Sequence, residues 1–232
     1  MEIISDRRAL QRWPNGALVP TMGALHDGHA SLIREARRRR VGPVLVSIFV
    51  NPTQFAPHED FARYPRTLEA DSVVAKAAGA DVIFAPPPEE IYPDGPDAAA
   101  RAAEHFPLPQ AATTPALEDR IRPGHFGGVC LVVARLFELA APRVAIFGEK
   151  DWQQWRVIDQ MAQRAAADAP IESPLRHLEL SVAPTVREHD GLAMSSRNRY
   201  LSAEDRRRAT APWRAIQLAR ELKHLALTEI EE

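Results

Sequence analysis

Two histidines, His26 and His29, stand three residues apart in the segment PTMGALHDGH, Pro20 to His29. Three residues is close to one helical turn, so both imidazoles can face a single ligand. The segment leaves a strand-like run and enters a helix-like one, the junction where a phosphate chain meets a helix N-terminus in open α/β sheets. Gly23 and Gly28 present no side chain and permit close backbone approach. Attack at a nucleotide's α-phosphate builds negative charge on its oxygens, and positioned imidazole donors stabilise that charge. Surface or capping histidines are the plainer alternative for a lone HxxH. Zinc would need a third ligand converging on the pair. None stands at motif spacing, so no protein-bound metal is expected.

Three more segments carry compatible chemistry. FGEKDWQQ, Phe147 to Gln154, follows another apolar run; Lys150 supplies a point charge for phosphate, and Asp151 and Gln154 supply groups for hydroxyls. A capped helix start with a solvated lysine reads the same way. VSIFVNPTQF places Asn51 and Gln54 just past a strand, where both could also be turn residues. GLAMSSRN, Gly191 to Asn198, sets two hydroxyls beside an arginine, a combination that grips phosphate oxygens but also describes a solvent loop.

The elements that must position these groups alternate. Ala17 to Pro20, Val44 to Val50, Asp81 to Phe84 and Val144 to Phe147 read as strands. Ala30 to Arg40, Thr67 to Ala78, Gly127 to Leu139 and Asp159 to Ala167 read as helices. The strands are almost continuously apolar, which suits a parallel sheet covered on both faces. The fold class is therefore α/β, a doubly wound parallel sheet with ligand at the carboxyl ends of its strands. Asp94 to Ala112, rich in Ala and Pro, reads as a mobile excursion, and Ala169 to His177 as a connection. Leu178 to Val186 reads as extended and Arg187 to Tyr200 as a polar loop. A helix starts at Ser202 with Glu204 and Asp205 in its first turn, and Pro212 interrupts it. Beyond it, Trp213, Ile216, Leu218, Leu222 and Leu225 form an apolar stripe.

The formal charge of -2 on 232 residues gives no general attraction to nucleic acid. The Arg37 to Arg40 cluster is read as closing a helix C-terminus rather than as a nucleic-acid patch. The single cysteine, Cys130, lies among apolar residues and is expected to be a buried thiol. The first residues lack the pattern of a secretory signal, and no apolar run approaches the roughly 20 residues that span a bilayer. A cytoplasmic protein without a membrane partner is expected.

Taken together, VPTMGALHDGH, VSIFVNPTQF, RPGHFGGV, AIFGEKDWQQ and VREHDGLAMSSRNRYLSAEDR resemble the pantoate-β-alanine ligase family, over about Val19 to Arg206. The HxGH pair and the MSSR loop also resemble the nucleotide signatures of the wider nucleotidylyltransferase group. The resemblance implies a Rossmann-like nucleotide- and pantoate-binding domain over residues 1–183 and a partial lid domain over 184–232. It implies ATP binding by Met22, Gly23, Ala24, Leu25, His26, Asp27, Gly28 and His29, by Gly148, Glu149, Lys150 and Asp151, and by Val186, Met194, Ser195, Ser196 and Arg197. Of these, His29, His26, Lys150 and Arg197 would be catalytic. Gln54 and Gln154 would hold pantoate, Gln54 would also meet β-alanine, and Arg122 and His125 would border the site. Pantoate would attack Mg2+-bound ATP to form pantoyl adenylate, and β-alanine would then displace AMP. A homodimer is implied as well. Glu118 and Asp119 depart from the family pattern, and the chain stops at Glu232, before the small sheet expected to complete the second domain. An adenylyltransferase acting on a phosphate-bearing acceptor and a catalytically impaired nucleotide-binding subunit are the other readings.

Overall fold

The computed structural model describes residues 1–228, with side chains through Leu222. Six strands, β1 (Glu2–Ile4), β2 (Ala17–Thr21), β3 (Val44–Ile48), β4 (Val82–Phe84), β5 (Val144–Gly148) and β6 (Glu179–Ala183), form one sheet. All of its pairings are parallel, in the order β1-β4-β3-β2-β5-β6. The sheet is an α/β doubly wound one, as the apolar runs require. Side chains alternate between two cores. Leu18, Leu45, Val82, Phe84, Ala145 and Phe147 enter one, while Ala17, Val19, Val44, Val46, Ile83, Val144 and Ile146 enter the other.

Helices cover both faces. On one side lie α1 (Asp27–Arg39) and α2 (Leu68–Ala78), whose buried Ile33, Ala36 and Ala75 join the second core. On the other, α6 (His125–Ala140) is buried along most of its length and packs beside α7 (Trp152–Asp168). Short helices α3 (Pro88–Ile91), α4 (Pro96–Glu104) and α5 (Glu118–Ile121) fill the passage between β4 and α6. The stretch Asp94 to Ala112, expected as an excursion, thus contains a helix. Ala99 and Ala103 of α4 are buried, and Gly127 of α6 lies so close to the Ala103 carbonyl that a β-carbon there would collide with it. Alanine richness is what permits this helix-to-helix approach, and composition alone read it as low complexity.

The arginine cluster closes α1. Arg40 is left-handed (φ 53°), Arg37 donates to the Gly79 carbonyl (2.6 Å) and pairs with Asp81 (2.5 Å), and Arg39 pairs with Glu35 and Glu179. Cys130 is fully buried, and burial pushes its thiol up to about 12. No described helix is long and apolar enough to cross a membrane.

Residues Met1–Pro184 and Thr185–Glu232 are two compact units. The second holds an isolated bridge between Arg187 and Ala193, then α8 (Ala203–Ala209) and α9 (Ala211–Thr228). The break between these helices falls at Thr210, beside Pro212. Of the apolar stripe on α9, Ile216, Leu218 and Leu222 are exposed; the Leu225 side chain lies outside the described residues.

Candidate active site

From β2 the chain moves one way through β3 and β4, and the other side of β2 is taken by β5, so the order reverses between β2 and β5. The segments leaving those two strands, Met22 to His29 and Gly148 to Asp151, flank the crevice that such a reversal opens. His26 and His29 follow β2, and Lys150 follows its sheet neighbour β5, so the three residues come from the two sides of that crevice.

The two histidines have a specific local geometry. His26 is the N-cap of α1, and its Nδ1 accepts the Gly28 main-chain N–H at 3.1 Å. His29 sits at the third helical position, and its Nδ1 accepts the His26 main-chain N–H at 3.3 Å. This is a reciprocal capping box built from imidazoles instead of the usual hydroxyl and carboxylate. The capping alternative raised by the sequence is therefore met by the same residues that suit phosphate chemistry. Both Nδ1 atoms are acceptors, so in the neutral rings the proton resides on Nε2. The ring centroids are 4.0 Å apart. Burial, with the neighbouring charges of His26 and Lys150, pulls the His29 imidazole down to about 3, so it is neutral near pH 7.

The turn before the helix is held by side chains from elsewhere. Gly23 (φ 85°) and Ala24 (φ 50°) are left-handed. The Asp71 carboxylate, on α2 and 2% exposed, accepts the N–H of Ala24 at 3.0 Å and of Leu25 at 2.8 Å. Thr21 Oγ1 accepts from the Gly23 N–H at 3.2 Å and donates to the Ser47 carbonyl at 2.7 Å.

Gln54 follows β3 in a short helical turn, Pro52–Gln54. Its Oε1 accepts from Asn51 Nδ2 (3.0 Å) and its Nε2 donates to Met22 Sδ (3.2 Å), which joins the β2 and β3 segments. Asn51 is 1% exposed and fully engaged: it also donates to the Gly128 carbonyl and accepts from Tyr92 Oη (2.8 Å) and Thr53. Burial pushes the Tyr92 phenol up to about 12. A β-carbon at Gly128 would meet the main chain of Thr53 and Gln54, so this glycine lets α6 approach the turn. From the other side His125 Nδ1 donates to the Gln54 carbonyl (3.0 Å), and Arg122 reaches His125 Nε2 (3.1 Å) while pairing with Glu59 and Glu118. Hydrogen bonding to Arg122 holds the Glu59 carboxyl below the usual range, and burial lowers His125. The two acids that depart from the family pattern open α5, and Glu118 closes this network.

Lys150 and Asp151 form a partly exposed pair at 2.9 Å in the turn after β5, and Gln154 is half-buried in the first turn of α7. Val186, Met194, Ser195, Ser196 and Arg197 belong to the second unit. There the Met194 N–H donates to the Val186 carbonyl (3.0 Å), Ser195 Oγ accepts from the Arg197 N–H (3.3 Å), and Ser196 is buried. Arg206 pairs with Glu188 (2.5 Å) and Asp190 (2.7 Å), and Glu188 also accepts from Asn198 (2.6 Å), which ties this loop to α8.

Asp71, Thr21 and Tyr92 were not singled out by sequence reasoning. Asp71 looks like any acid in a helix's first turn, and no local signal connects it to residues 24 and 25. Among the described residues no group of three or more His, Cys, Asp or Glu could hold a metal ion.

An all-parallel doubly wound sheet with a histidine pair and a lysine beyond the ends of adjacent strands places the molecule in the open-sheet α/β class. A family model described as pantoate-beta-alanine ligase matches residues 2–232, and the chain belongs to that family. It is 50% identical over 214 residues to the pantothenate synthetase of a Nocardioides species, covering 88% of this chain and 58% of the relative. It is 52% identical over 205 residues to that of a Bradyrhizobium species, covering 87% and 65%. The chain thus spans about three-fifths of the length of these curated relatives. Pantothenate synthetase from Thermus thermophilus superposes with a TM-score of 0.80 at 42% identity, over 97% of this chain and 77% of that one. A pantoate-beta-alanine ligase from Francisella tularensis, solved with beta-gamma ATP and beta-alanine, gives 0.72 at 34% identity, over 88% and 74%.

Proposed function

We propose that this chain condenses pantoate with β-alanine at the expense of ATP, forming pantothenate through a pantoyl adenylate and releasing AMP and pyrophosphate. The observation that carries the reading is the imidazole capping box beside Lys150 at the sheet's reversal point. Family membership and the Francisella tularensis complex with beta-gamma ATP and beta-alanine support it.

In this reading Met22 to His29 and Gly148 to Asp151 bind ATP, with Lys150 moving from Asp151 to phosphate and Asp151 near the ribose. His26 and His29 direct Nε2–H donors at the α-phosphate as pantoate's carboxylate attacks it. A neutral His29 imidazole suits this role because it donates to developing charge without a proton transfer. Gln54 and Gln154 orient pantoate; the Asn51 and Met22 bonds keep the Gln54 side-chain amide from turning, while His125 holds the Gln54 main-chain carbonyl. Alignment does the work, since no nucleophilic side chain is required. Val186 lines the adenine side, and Met194, Ser195, Ser196 and Arg197 close over the triphosphate as part of a lid. Magnesium enters as Mg-ATP, held by phosphate oxygens, which fits a site without a carboxylate cage. A cytoplasmic homodimer, with residues 1–183 and 184–232 as binding and lid domains, belongs to the same reading and rests on the family.

Pyrophosphate release from Mg-ATP, followed with and without pantoate and β-alanine, tests it. Pantoate-dependent release that yields pantothenate when β-alanine is added is the expected result. Release with a phosphate-bearing acceptor instead, or ATP binding without release, would overturn it.

A further inference from the structure

Successive main-chain N–H groups in a turn with left-handed residues form a concavity that binds anions. The turn at Gly23 and Ala24 has that form, and at the start of a helix it would be the natural seat for a phosphate. The seat is occupied from within. Asp71 accepts from Ala24 and Leu25, Thr21 Oγ1 from Gly23, His29 Nδ1 from His26 and His26 Nδ1 from Gly28. These main-chain donors are therefore committed to the protein's own side chains. With both Nδ1 atoms accepting, the donor that each neutral ring carries is its Nε2–H.

Asp71 is the anchor of this arrangement. It reaches the turn from α2, 46 and 47 residues away in sequence, and Thr67 Oγ1 donates to its Oδ1 at 3.1 Å. The carboxylate lies against Gly23, where a β-carbon would come within 3.0 Å of Oδ2 and of Ile48 Cγ2. Left-handed Ala24 is an uncommon conformation that persists only when its surroundings impose it, and the two charge-assisted bonds do so.

We propose that Asp71 is a positioning residue for nucleotide binding: it fills the anion seat of the Gly23 to Leu25 turn and so assigns phosphate recognition to the imidazoles of His26 and His29. The proposal rests on the function given above. Asp71→Asn keeps the shape but turns an amide N–H₂ toward one of the two main-chain donors.

The test uses the full chain and needs no turnover. Calorimetry with Mg2+ and a non-hydrolysable ATP analogue is compared for wild type, Asp71→Asn and Glu69→Gln, the latter altering an exposed acid on the same helix. Loss of one charged hydrogen bond predicts analogue binding weakened about tenfold in Asp71→Asn, with pantoate binding and Glu69→Gln within about twofold of wild type. In wild type, the amide protons of Ala24 and Leu25 should follow the Asp71 carboxyl carbon through its acid titration in NMR spectra. That measurement decides the clamp even where Asp71→Asn does not fold. Undiminished analogue binding in Asp71→Asn, an equal loss of analogue and pantoate, or amide protons that ignore the carboxyl would overturn the proposal. A wild type that binds no analogue would instead overturn the nucleotide reading, with the amide titration still reporting on the clamp.

Discussion

The two segments that carry phosphate-compatible groups are held by opposite means. Met22 to His29 is fixed above all by the buried Asp71 carboxylate, and by rings that cap their own helix. Arg187 to Tyr200 is held by half-exposed charges, Arg206 with Glu188 and Asp190, and by Arg187 lying 4.0 Å over the Trp213 ring. Buried charged hydrogen bonds keep their strength in salt, whereas exposed ion pairs are screened and contribute little stability. The first segment is built as a fixed template, and the second is held in a way that lets it reorder at small cost.

The sharpest way to break this contrast is at the template. His29→Ala should lower pyrophosphate release by about 10²- to 10³-fold, the usual effect of removing one preorganised donor, with little change in far-UV circular dichroism. If the loss is only severalfold, the imidazole is a cap and nothing more.

Next comes the packing behind Gln54. Gly128→Ala would push a methyl into the main chain of Thr53 and Gln54, and overpacking of this kind costs about 1–3 kcal/mol in thermal unfolding. Pantoate half-saturation should rise with it, because the turn carrying Gln54 must move. A stable variant with unchanged pantoate affinity would separate the turn from the substrate.

Acid should affect the first unit before the second. His29 and His125 both titrate below their ordinary value of 6.5 because the fold desolvates them. The unfolded chain therefore takes up protons that the folded one refuses, and stability complete above pH 6.5 declines as pH falls, for His29 down to about 3. In the second unit the Glu188 contribution, whose carboxyl is lowered by its hydrogen bond to Arg206, disappears only below about 4.5. Urea midpoints in His29→Gln should fall less than in wild type between pH 6.5 and 5, and an identical slope would remove the desolvated imidazole from the account.

The smallest effect is expected in the second unit. Arg206→Ala should raise ATP half-saturation roughly threefold in low salt and change the melting temperature hardly at all, because exposed ion pairs contribute little. The difference from wild type should vanish at about 0.5 M salt, where the Debye length is only a few ångströms. A salt-independent loss would mean that Arg206 acts by shape and not by charge.

The strands β2 to β5 and the helices α1, α2 and α6 were legible because parallel strands buried on both faces leave unbroken apolar runs and the helices between them keep a helical period. Edge strand β1, Glu2–Ile4, is as short as β4 but is buried only at Ile4, so it leaves no continuous apolar run. The helix α4 was hidden by its own composition, since alanines chosen for close approach to Gly127 look like low complexity in one dimension. For the candidate site, the HxGH spacing, Lys150 and Gln54 carry recognisable side chains at strand ends and could be picked out directly. Asn51 could be named but not ranked, because its four partners come from three separate segments.

By itself, then, the sequence determined the α/β class, the strand-to-helix junction ahead of the Ala30 to Arg40 helix and the chemical character of the groups placed beyond the strands, because these depend on periodicity and on spacings of a few residues. Only the tertiary structure decided which main-chain donors are spent, which way the imidazoles carry their protons, and that an acid 46 residues along the chain shapes the nucleotide turn. The Asp71 clamp belongs to a contact between distant segments, and the imidazole protons to main-chain N–H groups two and three residues away whose directions only the folded turn sets; a carboxylate's partner is not written in its neighbours.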